Sequence, residues 1–325
     1  MIKTAESVSI AHPDKVCDQI SDAVLDACLS QDPFTRSAVE VLGGHGIITV
    51  TGELTTRARV NVRKIAEDVY RECGYKEDIG VTVNIVEQSP EIKHGVDNDG
   101  AGDQGIMVGY ATSETPEMLP LEVVLARKLA KAMGAADGKS QVTVENGKVV
   151  SILTSVCNAD YSDKSPLVRT AKKEVVPFLA RGLKLDRIWL KNPNGDWSIG
   201  GFHADTGLTG RKLVVDNYGP NVPLGGGCFS GKDATKVDRS GAYMARRVAV
   251  DYLKKRKAKE VFVHIAYAIG VAEPVMAVVT IDGRQENVKG YDLRPSAIIK
   301  RLHLREAKFR ETAKYGHFGN GFRWG

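Results

Sequence analysis

The sequence predicts an α+β fold with three similar domains in a pseudo-threefold arrangement, each a small mixed sheet covered by helices. The chain has 325 residues, which is long for one hydrophobic core and favours two or three domains. The order helix, hairpin, helix occurs three times along the chain. The leading helices begin near residues 15, 120 and 240, so the three units are evenly spaced. No residue-level repeat accompanies this order.

The first unit opens with an amphipathic pattern that predicts a helix over 13–27. Apolar residues form one face of this helix, and aspartates at i, i+4 spacing form another. The alternating segments 39–42 and 47–51 predict a hairpin around a glycine-rich turn. A helix over 60–73 is expected to end at Gly74, because glycine is favoured just after a helix.

The second and third units repeat this order. In the second unit, the pattern predicts a helix over 121–133, a hairpin over 141–153 around an Asn-Gly turn, and a helix over 167–179. In the third unit, the predicted elements are a helix over 241–257, strands over 260–268 and 275–281, and a helix over 296–302. We therefore expect three domains, with some interleaving of strands and helices, over residues 1–98, 99–201 and 202–325.

Two long polar segments separate the units. Residues 88–112 are rich in glycine and aspartate, which predicts a mobile gate over a site; a plain exposed connection is the alternative. Residues 192–211 begin with an Asn-Pro-Asn-Gly turn and lead, through Arg211 and Lys212, into a strand predicted over 213–215.

Composition and charge narrow the possible partners. The 45 basic and 40 acidic residues give a net charge of +5, which suits an anionic substrate and does not by itself indicate nucleic acid. The basic run 254–259 is expected to be a solvated helix end, with an RNA-binding patch as the alternative.

Five cysteines without a C-x-x-C pair favour free thiols in a reducing compartment. With no leader and no uninterrupted apolar span, we expect a cytoplasmic protein with no membrane or nucleic-acid partner.

The segment Gly225–Arg239, GGGCFSGKDATKVDR, has the composition of a polyphosphate cradle. Its three consecutive glycines leave backbone N–H groups accessible. Its lysines supply cations, and Asp233 and Asp238 could hold a divalent metal. The segment nearly matches a P-loop, but Asp233 stands where Ser or Thr is required, so we expect a phosphate site of another kind. A glycine-rich surface loop is the alternative.

His12 and Asp14 flank the start of the first predicted helix. Pro13 suits the first helical position and Asp14 complements the helix dipole, so a structural role accounts for Asp14. His12 lies just outside the helix, where a donor could meet an anion. From the local pattern, functional and structural interpretations of this pair both stay open.

Ten segments closely resemble the methionine adenosyltransferases (S-adenosylmethionine synthetases), in the family's order and from end to end of the chain. These segments are HPDKVCDQISDAVLDA (12–27), GELTT (52–56), QSPEI (88–92), GAGDQGIMVGYATSE (100–114), KSQV (139–142), TGLTGRK (206–212), GGGCFSGKDATKVDRS (225–240), YAIGVAEP (267–274), DLRP (292–295) and YGHFG (315–319). The resemblance implies three α+β domains of similar topology. It also implies a homodimer, or a dimer of dimers, with active sites between subunits.

The reaction implied by the resemblance is attack of the L-methionine sulfur on C5′ of ATP. The products are S-adenosylmethionine and tripolyphosphate, which is hydrolysed to pyrophosphate and phosphate. A thioether has no proton to lose, so this step needs alignment and stabilisation of the leaving triphosphate rather than a general base.

The resemblance also assigns roles to residues of this sequence. The catalytic residues would be His12, Lys139, Arg211 and Lys232. The expected ATP contacts are His12, Asp137, Lys139, Trp197, Asp205, Arg211, Lys212, Cys228, Lys232 and Ile269. The expected methionine contacts are Glu53, Gln88, Asp205 and Lys236. Two Mg²⁺ ions would be bound by Asp14 and Asp238, and a K⁺ ion by Glu40.

The chain departs from the family pattern at a few places. Asp196 and Trp197 stand where the family has Arg-Phe after the Asn-Pro-x-Gly turn. Trp197 keeps a ring that can stack on adenine, whereas Asp196 reverses a charge, so we expect a looser choice among nucleoside triphosphates. The segment between Val96 and Gly100 is several residues shorter than in the family.

Three other functions are alternatives to this one. A phosphotransferase or ATPase that uses the glycine-rich segment would release ADP. A basic scaffold that binds RNA would show binding that weakens steeply with salt. A catalytically inactive relative kept as a binding partner is disfavoured, because the expected metal and methionine positions are intact.

Overall fold

The computed structural model describes residues 1–88, 100–306 and 308–325. Its strands are, in chain order, β1 (Ile2–Val8), β2 (Arg36–Gly44), β3 (Ile47–Thr55), β4 (Gly80–Val86), β5 (Gly105–Thr112), β6 (Gly138–Glu145), β7 (Lys148–Val156), β8 (Trp189–Lys191), β9 (Gly207–Leu208), β10 (Glu260–Tyr267), β11 (Met276–Ile281) and β12 (Arg284–Asn287). Its α-helices are α1 (Pro13–Leu29), α2 (Val62–Glu72), α3 (Leu121–Ala132), α4 (Pro166–Thr170), α5 (Leu185–Ile188), α6 (Leu213–Asp216), α7 (Val237–Arg256), α8 (Pro295–Leu302) and α9 (Phe309–Lys314). The strands form three four-stranded sheets with helices packed against them, which confirms the predicted α+β fold.

The first sheet has the strand order β4-β3-β2-β9. Strands β2 and β3 form the predicted hairpin, in which His45 and Gly46 have φ angles of 50° and 87°. Such a turn needs two left-handed residues, because its twist must match that of the strands. Strand β9 pairs with β2 and places Leu208 opposite Leu42. The pairing brings a segment from the second half of the chain onto the first hairpin.

The other two sheets also combine distant strands. The second has the order β1-β6-β7-β8, with Val8 of β1 opposite Lys139 of β6. The third has the order β12-β11-β10-β5, with Gly105 of β5 opposite Tyr267 of β10. Strands that are far apart in the chain therefore share sheets, and the division into domains near residues 98 and 201 stays a prediction.

Helix α1 is buried on both of its faces. It packs on β2, β9, α2 and α9, and 14 of its 17 residues are buried. The aspartates of its polar face are enclosed as well, since Asp18 and Asp22 are 0% exposed. Buried carboxylates must find hydrogen-bond partners, and these partners come from the segments that carry the candidate site.

Two secondary-structure predictions are wrong. Residues 213–215, predicted as a strand, belong to helix α6, in which the Asp216 N–H donates to the carbonyl of Lys212 (2.8 Å). The helix predicted over 167–179 is split into α4, a π-helical turn over 171–175 and a 3₁₀ turn over 176–178. Pro177 lies in the last turn and has no N–H to donate, so it cannot continue an α-helix.

The polar segment 88–112, predicted as a mobile gate, is not irregular along its whole length. Its last eight residues form β5, in which six residues are buried. Residues 89–99 lie outside the described residues, and the gate predicted for them stays a prediction. In the described ranges, no helix is both long and apolar enough to cross a membrane.

Candidate functional site

His12 caps the first turn of α1 with its ring. The N–H of Asp14 donates to Nδ1 of His12 (3.2 Å), so the proton of the neutral ring lies on Nε2. The side chain is almost fully buried. Burial, together with the charges of Lys212 and Lys139, lowers the pKa of His12 to about 3. His12 is therefore a neutral imidazole whose Nε2–H is a donor.

Asp14 joins α1 to the segment that carries Arg211 and Lys212. Its Oδ1 accepts a hydrogen bond from the N–H of Leu208 (2.9 Å). Its Oδ2 forms an ion pair with Nζ of Lys212, and Nε of Arg211 lies 3.5 Å from Oδ1. Burial alone would raise the pKa of Asp14, but the hydrogen bonds from Lys212 and Leu208 outweigh burial and lower it. The carboxylate is thus ionised, and it holds both cations next to His12.

A second carboxylate of α1 fixes the same segment one turn further along. Oδ1 of Asp18 accepts from the N–H of Gly210 (2.8 Å). Nζ of the buried Lys15 donates to Asp18 (2.9 Å) and to Asp216 (2.6 Å). Burial raises the pKa of Asp216 to about 6 even with Lys15 beside it. These residues are not among the predicted site residues, because i, i+4 aspartates are typical of a polar helix face.

Lys139 completes a cationic group around His12. It lies on β6 opposite Val8, the last residue of β1, and its side chain is exposed. Its charge contributes to the lowered pKa of His12. The start of α1 is therefore surrounded by the neutral donor His12 and by the cations of Lys139, Arg211 and Lys212. This arrangement can bind a polyanion.

The glycine-rich segment forms a second cluster, centred on Lys232 and Asp238. Nζ of Lys232 lies 2.6 Å from Oδ2 of Asp238, in the first turn of α7. A Cβ added at Gly227 would lie 2.1 Å from the carboxyl carbon of Asp238. Residue 227 must therefore be glycine if the Asp238 carboxylate is to lie against the backbone.

The two clusters adjoin through Cys228. A Cβ added at Gly210 would lie 2.7 Å from Cβ of Cys228, so the segment of Arg211 touches the glycine-rich segment. Cys228 is partly buried, and burial raises the pKa of its thiol. The predicted ATP contact is thus a neutral thiol at the junction.

Asp233, which the sequence offered as a metal ligand, holds the glycine-rich segment in place. Its Oδ2 accepts from the N–H of Ser37 (2.8 Å), and its Oδ1 accepts from the N–H of Thr235 (2.8 Å). Oδ2 also pairs with Nζ of Lys236, the predicted methionine contact. Asp233 is buried and attaches the glycine-rich segment to β2, and a metal at this carboxylate stays a prediction.

The predicted nucleoside contacts line two different cavities. Asp137 is buried at the edge of a cavity of about 770 Å³ that also contains Tyr75 and His203. Its Oδ2 accepts from the N–H of Gly201 (2.8 Å), and burial raises its pKa. Trp197 lines a separate cavity of about 510 Å³.

The remaining predicted residues are dispersed. Glu40 and Glu53 are exposed on one face of the first hairpin, where Glu40 is opposite Thr51 and Glu53 is opposite Ala38. Gln88 follows β4, and its N–H donates to Oγ1 of Thr55 (3.1 Å). Asp205 is exposed before β9. Ile269 is 63% exposed and forms an isolated bridge with Ala101.

The carboxylates expected to hold Mg²⁺ fit that ion in chemical type. Asp14 and Asp238 supply hard oxygen ligands, and each is already balanced by a lysine. In the part of the chain that the structure describes, no three metal-ligating side chains come together. Such single carboxylates suit Mg²⁺, which usually binds one or two of them and takes its other ligands from phosphate and water.

Comparison with known proteins gives one family over the whole chain. Domain models of S-adenosylmethionine synthetase match residues 1–94 (N-terminal domain), 98–197 (central domain) and 199–325 (C-terminal domain). The S-adenosylmethionine synthases of Desulforudis audaxviator and Petrotoga mobilis are 43% and 41% identical to this chain over 367 and 375 aligned residues. These alignments each cover 98% of this chain, and 93% and 94% of the relatives. The chain therefore belongs to the S-adenosylmethionine synthetase family.

Proposed function

We propose that this protein is a methionine adenosyltransferase that makes S-adenosylmethionine from ATP and L-methionine. One observation carries the proposal: a neutral, buried His12 is surrounded by Lys139, Arg211 and Lys212 at the start of α1. This arrangement suits a triphosphate that leaves as an anion, and the relatives reported above are named for the same product.

The reaction needs no general base. The sulfur–C5′ bond forms while the bond from C5′ to the triphosphate oxygen breaks, and the electron pair leaves on the triphosphate. The Nε2–H of His12 can donate to that oxygen without giving up its proton, and the lysines and arginine stabilise the charge. Each such preorganised contact is worth about 2.7–4 kcal/mol in the transition state.

We assign the metal ions to three carboxylates, two of which lie within these clusters. Asp14 and Asp238 would each hold a Mg²⁺ ion, and Glu40 would hold K⁺. Bound Mg²⁺ neutralises phosphate charge and orients the phosphate oxygens. The lysines that now pair with Asp14 and Asp238, Lys212 and Lys232, are then available to the phosphates.

We also propose that the active site is completed by a second copy of the chain. On the first hairpin, Glu40 and Glu53 share a face with Leu42 and Ile47, which are 46% and 48% exposed. An exposed apolar sheet face favours burial against an identical face in a dimer. The predicted K⁺ and methionine residues would then lie between subunits, in a homodimer or a dimer of dimers.

The substrate contacts are proposals of the same kind. ATP would contact Asp137, Asp205, Cys228 and Ile269, and Trp197 would stack on its base. Methionine would contact Glu53, Gln88, Asp205 and Lys236. A dimer also accounts for the dispersal of these residues. Contacts that lie far apart within one chain could meet at one site if the second subunit supplies some of them.

A product assay tests the function. The protein is incubated with ATP, L-methionine, Mg²⁺ and K⁺, and the products are separated by chromatography. We expect S-adenosylmethionine, pyrophosphate and phosphate. In a control reaction without methionine, no nucleoside product should form. ADP as the nucleotide product would instead support an ATPase or phosphotransferase and would contradict the proposal.

A further inference from the structure

The buried ion pair between Arg239 and Asp22 joins α7 to α1 beneath the glycine-rich segment. The guanidinium group contacts the carboxylate in a bidentate manner, with NH1 to Oδ1 at 2.7 Å and NH2 to Oδ2 at 2.8 Å. Both side chains are 0% exposed. Two parallel charge-assisted hydrogen bonds fix the orientation of the guanidinium group as well as its position.

The same pair holds the backbone on both sides of Lys232. The N–H of Gly231 donates to Oδ1 of Asp22 (2.8 Å), and the carbonyl of Lys232 accepts from NH1 of Arg239 (2.9 Å). On the opposite side, the carbonyl of Gly231 accepts from Oγ of Ser37 (2.8 Å). The Cα of Lys232 is therefore held between α1, α7 and β2.

Every N–H of Arg239 has a partner. Besides Asp22 and Lys232, Nε donates to the hydroxyl of Tyr243 (3.0 Å) and NH2 donates to Oγ1 of Thr312 (3.2 Å). The ring of Phe309 lies under the guanidinium at 4.0 Å. Lysine at this position would keep the charge but could not make this set of contacts, because an ammonium is a compact point charge.

We propose that Arg239 and Asp22 are positioning residues for Lys232, which fix the backbone from which its ammonium reaches the leaving triphosphate. This inference rests on the role proposed above for Lys232. Neither residue touches a substrate in this proposal. Displacement of Lys232 by about 1 Å is enough to cost on the order of 10²-fold in rate.

The test is a double-mutant cycle between Arg239→Lys and Lys232→Met. We expect Arg239→Lys to lower kcat by roughly 10- to 100-fold while KM for methionine changes by less than about twofold. In the Lys232→Met background, Arg239→Lys should cost less than about twofold more, because the residue acts through Lys232. An equal loss in both backgrounds would overturn the proposal.

Arg246→Lys is the matched control. Arg246 is on the same helix and is also 0% exposed, but it donates to the carbonyls of Tyr110, Met118 and Glu117. Arg246→Lys should lower the melting temperature about as much as Arg239→Lys does, and it should leave kcat within about twofold of wild type. If both arginine variants lower kcat equally, the role of Arg239 is merely structural.

A second variant covers the case in which Arg239→Lys does not fold. The pair Asp22→Asn with Arg239→Gln removes both buried charges together, so no charge is left unpaired. It should show the same loss of kcat and the same non-additivity with Lys232→Met. If Lys232→Met alone leaves turnover unchanged, it is the proposed role of Lys232 that fails, and this outcome is distinct from failure of the positioning pair.

Discussion

The substitution Gly227→Ala is predicted to damage the site without damaging the fold. The added Cβ would lie 2.1 Å from the carboxyl carbon of Asp238 and 2.4 Å from both carboxylate oxygens. An ordinary contact begins at 3.4 Å, so the carboxylate must move by about 1.3 Å (3.4 minus 2.1). That shift breaks the 2.6 Å ion pair with Lys232 and displaces the proposed Mg²⁺ ligand.

The expected size of the effect follows from that shift. A displacement of about 1 Å at a reacting group costs on the order of 10²-fold in rate, and a disturbed metal ligand shell costs about 10- to 100-fold in metal affinity. We therefore expect Gly227→Ala to lower kcat by roughly 10²-fold and to raise the Mg²⁺ concentration needed for half-maximal activity by about 10-fold or more. Initial rates of S-adenosylmethionine formation over a Mg²⁺ titration measure both quantities.

Gly226→Ala is the matched control for this substitution. A Cβ at Gly226 has no neighbour within 4 Å among the described atoms, so this variant makes the same change of composition one residue away. It should keep wild-type kcat and Mg²⁺ dependence, and both variants should unfold cooperatively. Equal activity of the Gly227 and Gly226 variants would refute the placement of Asp238 against the glycine backbone at the catalytic site.

Three further predictions concern individual side chains. Lys232→Met should lower kcat by about 10²–10³-fold, because a contact to the leaving group is lost; near wild-type turnover in a folded variant would contradict that role. His12 has a folded pKa of about 3, below its unfolded value, so its stabilising contribution is present above pH ~6.5 and is lost as pH falls towards 3. Between pH 7.5 and 5.5, wild type should lose about 1 kcal/mol more unfolding free energy than His12→Asn, as measured by denaturant titration; equal losses would contradict the neutral imidazole. With Asp196 in place, the preference for ATP over GTP should stay below about 100-fold in kcat/KM, and Asp196→Arg should raise this preference. A wild-type preference above about 100-fold would count against a base-binding role for position 196.

The sequence predicts the local elements well, because their signals are short in range. The periodic pattern of α1 and the turn signals of the hairpins depend on neighbouring residues alone, and the structure confirms these elements. Leu-Val-Val at 213–215 favours β structure and predicts a strand. The backbone of this segment instead makes a helical turn after β9. Tertiary context therefore overrides the local β propensity.

The enclosure of the aspartates of α1 could not be predicted in the same way. Asp18 meets Gly210, which is 192 residues away in the chain, and Asp22 meets Arg239, which is 217 residues away. Nothing in the local spacing distinguishes these carboxylates from a solvated helix face. For Lys139 and Arg211, the prediction came from resemblance, and the structure places both near His12. Their chemical roles stay a prediction.

The most direct test of the account follows the phosphorus atoms of ATP during a single turnover. Wild-type protein, ATP, L-methionine, Mg²⁺ and K⁺ are mixed and quenched within one turnover, and the phosphate species are resolved by ³¹P NMR or ion chromatography. If a cationic site built around neutral His12 stabilises a leaving triphosphate, tripolyphosphate should form together with S-adenosylmethionine and then be converted into pyrophosphate and phosphate. Release of phosphate with ADP before any S-adenosylmethionine forms would contradict the account.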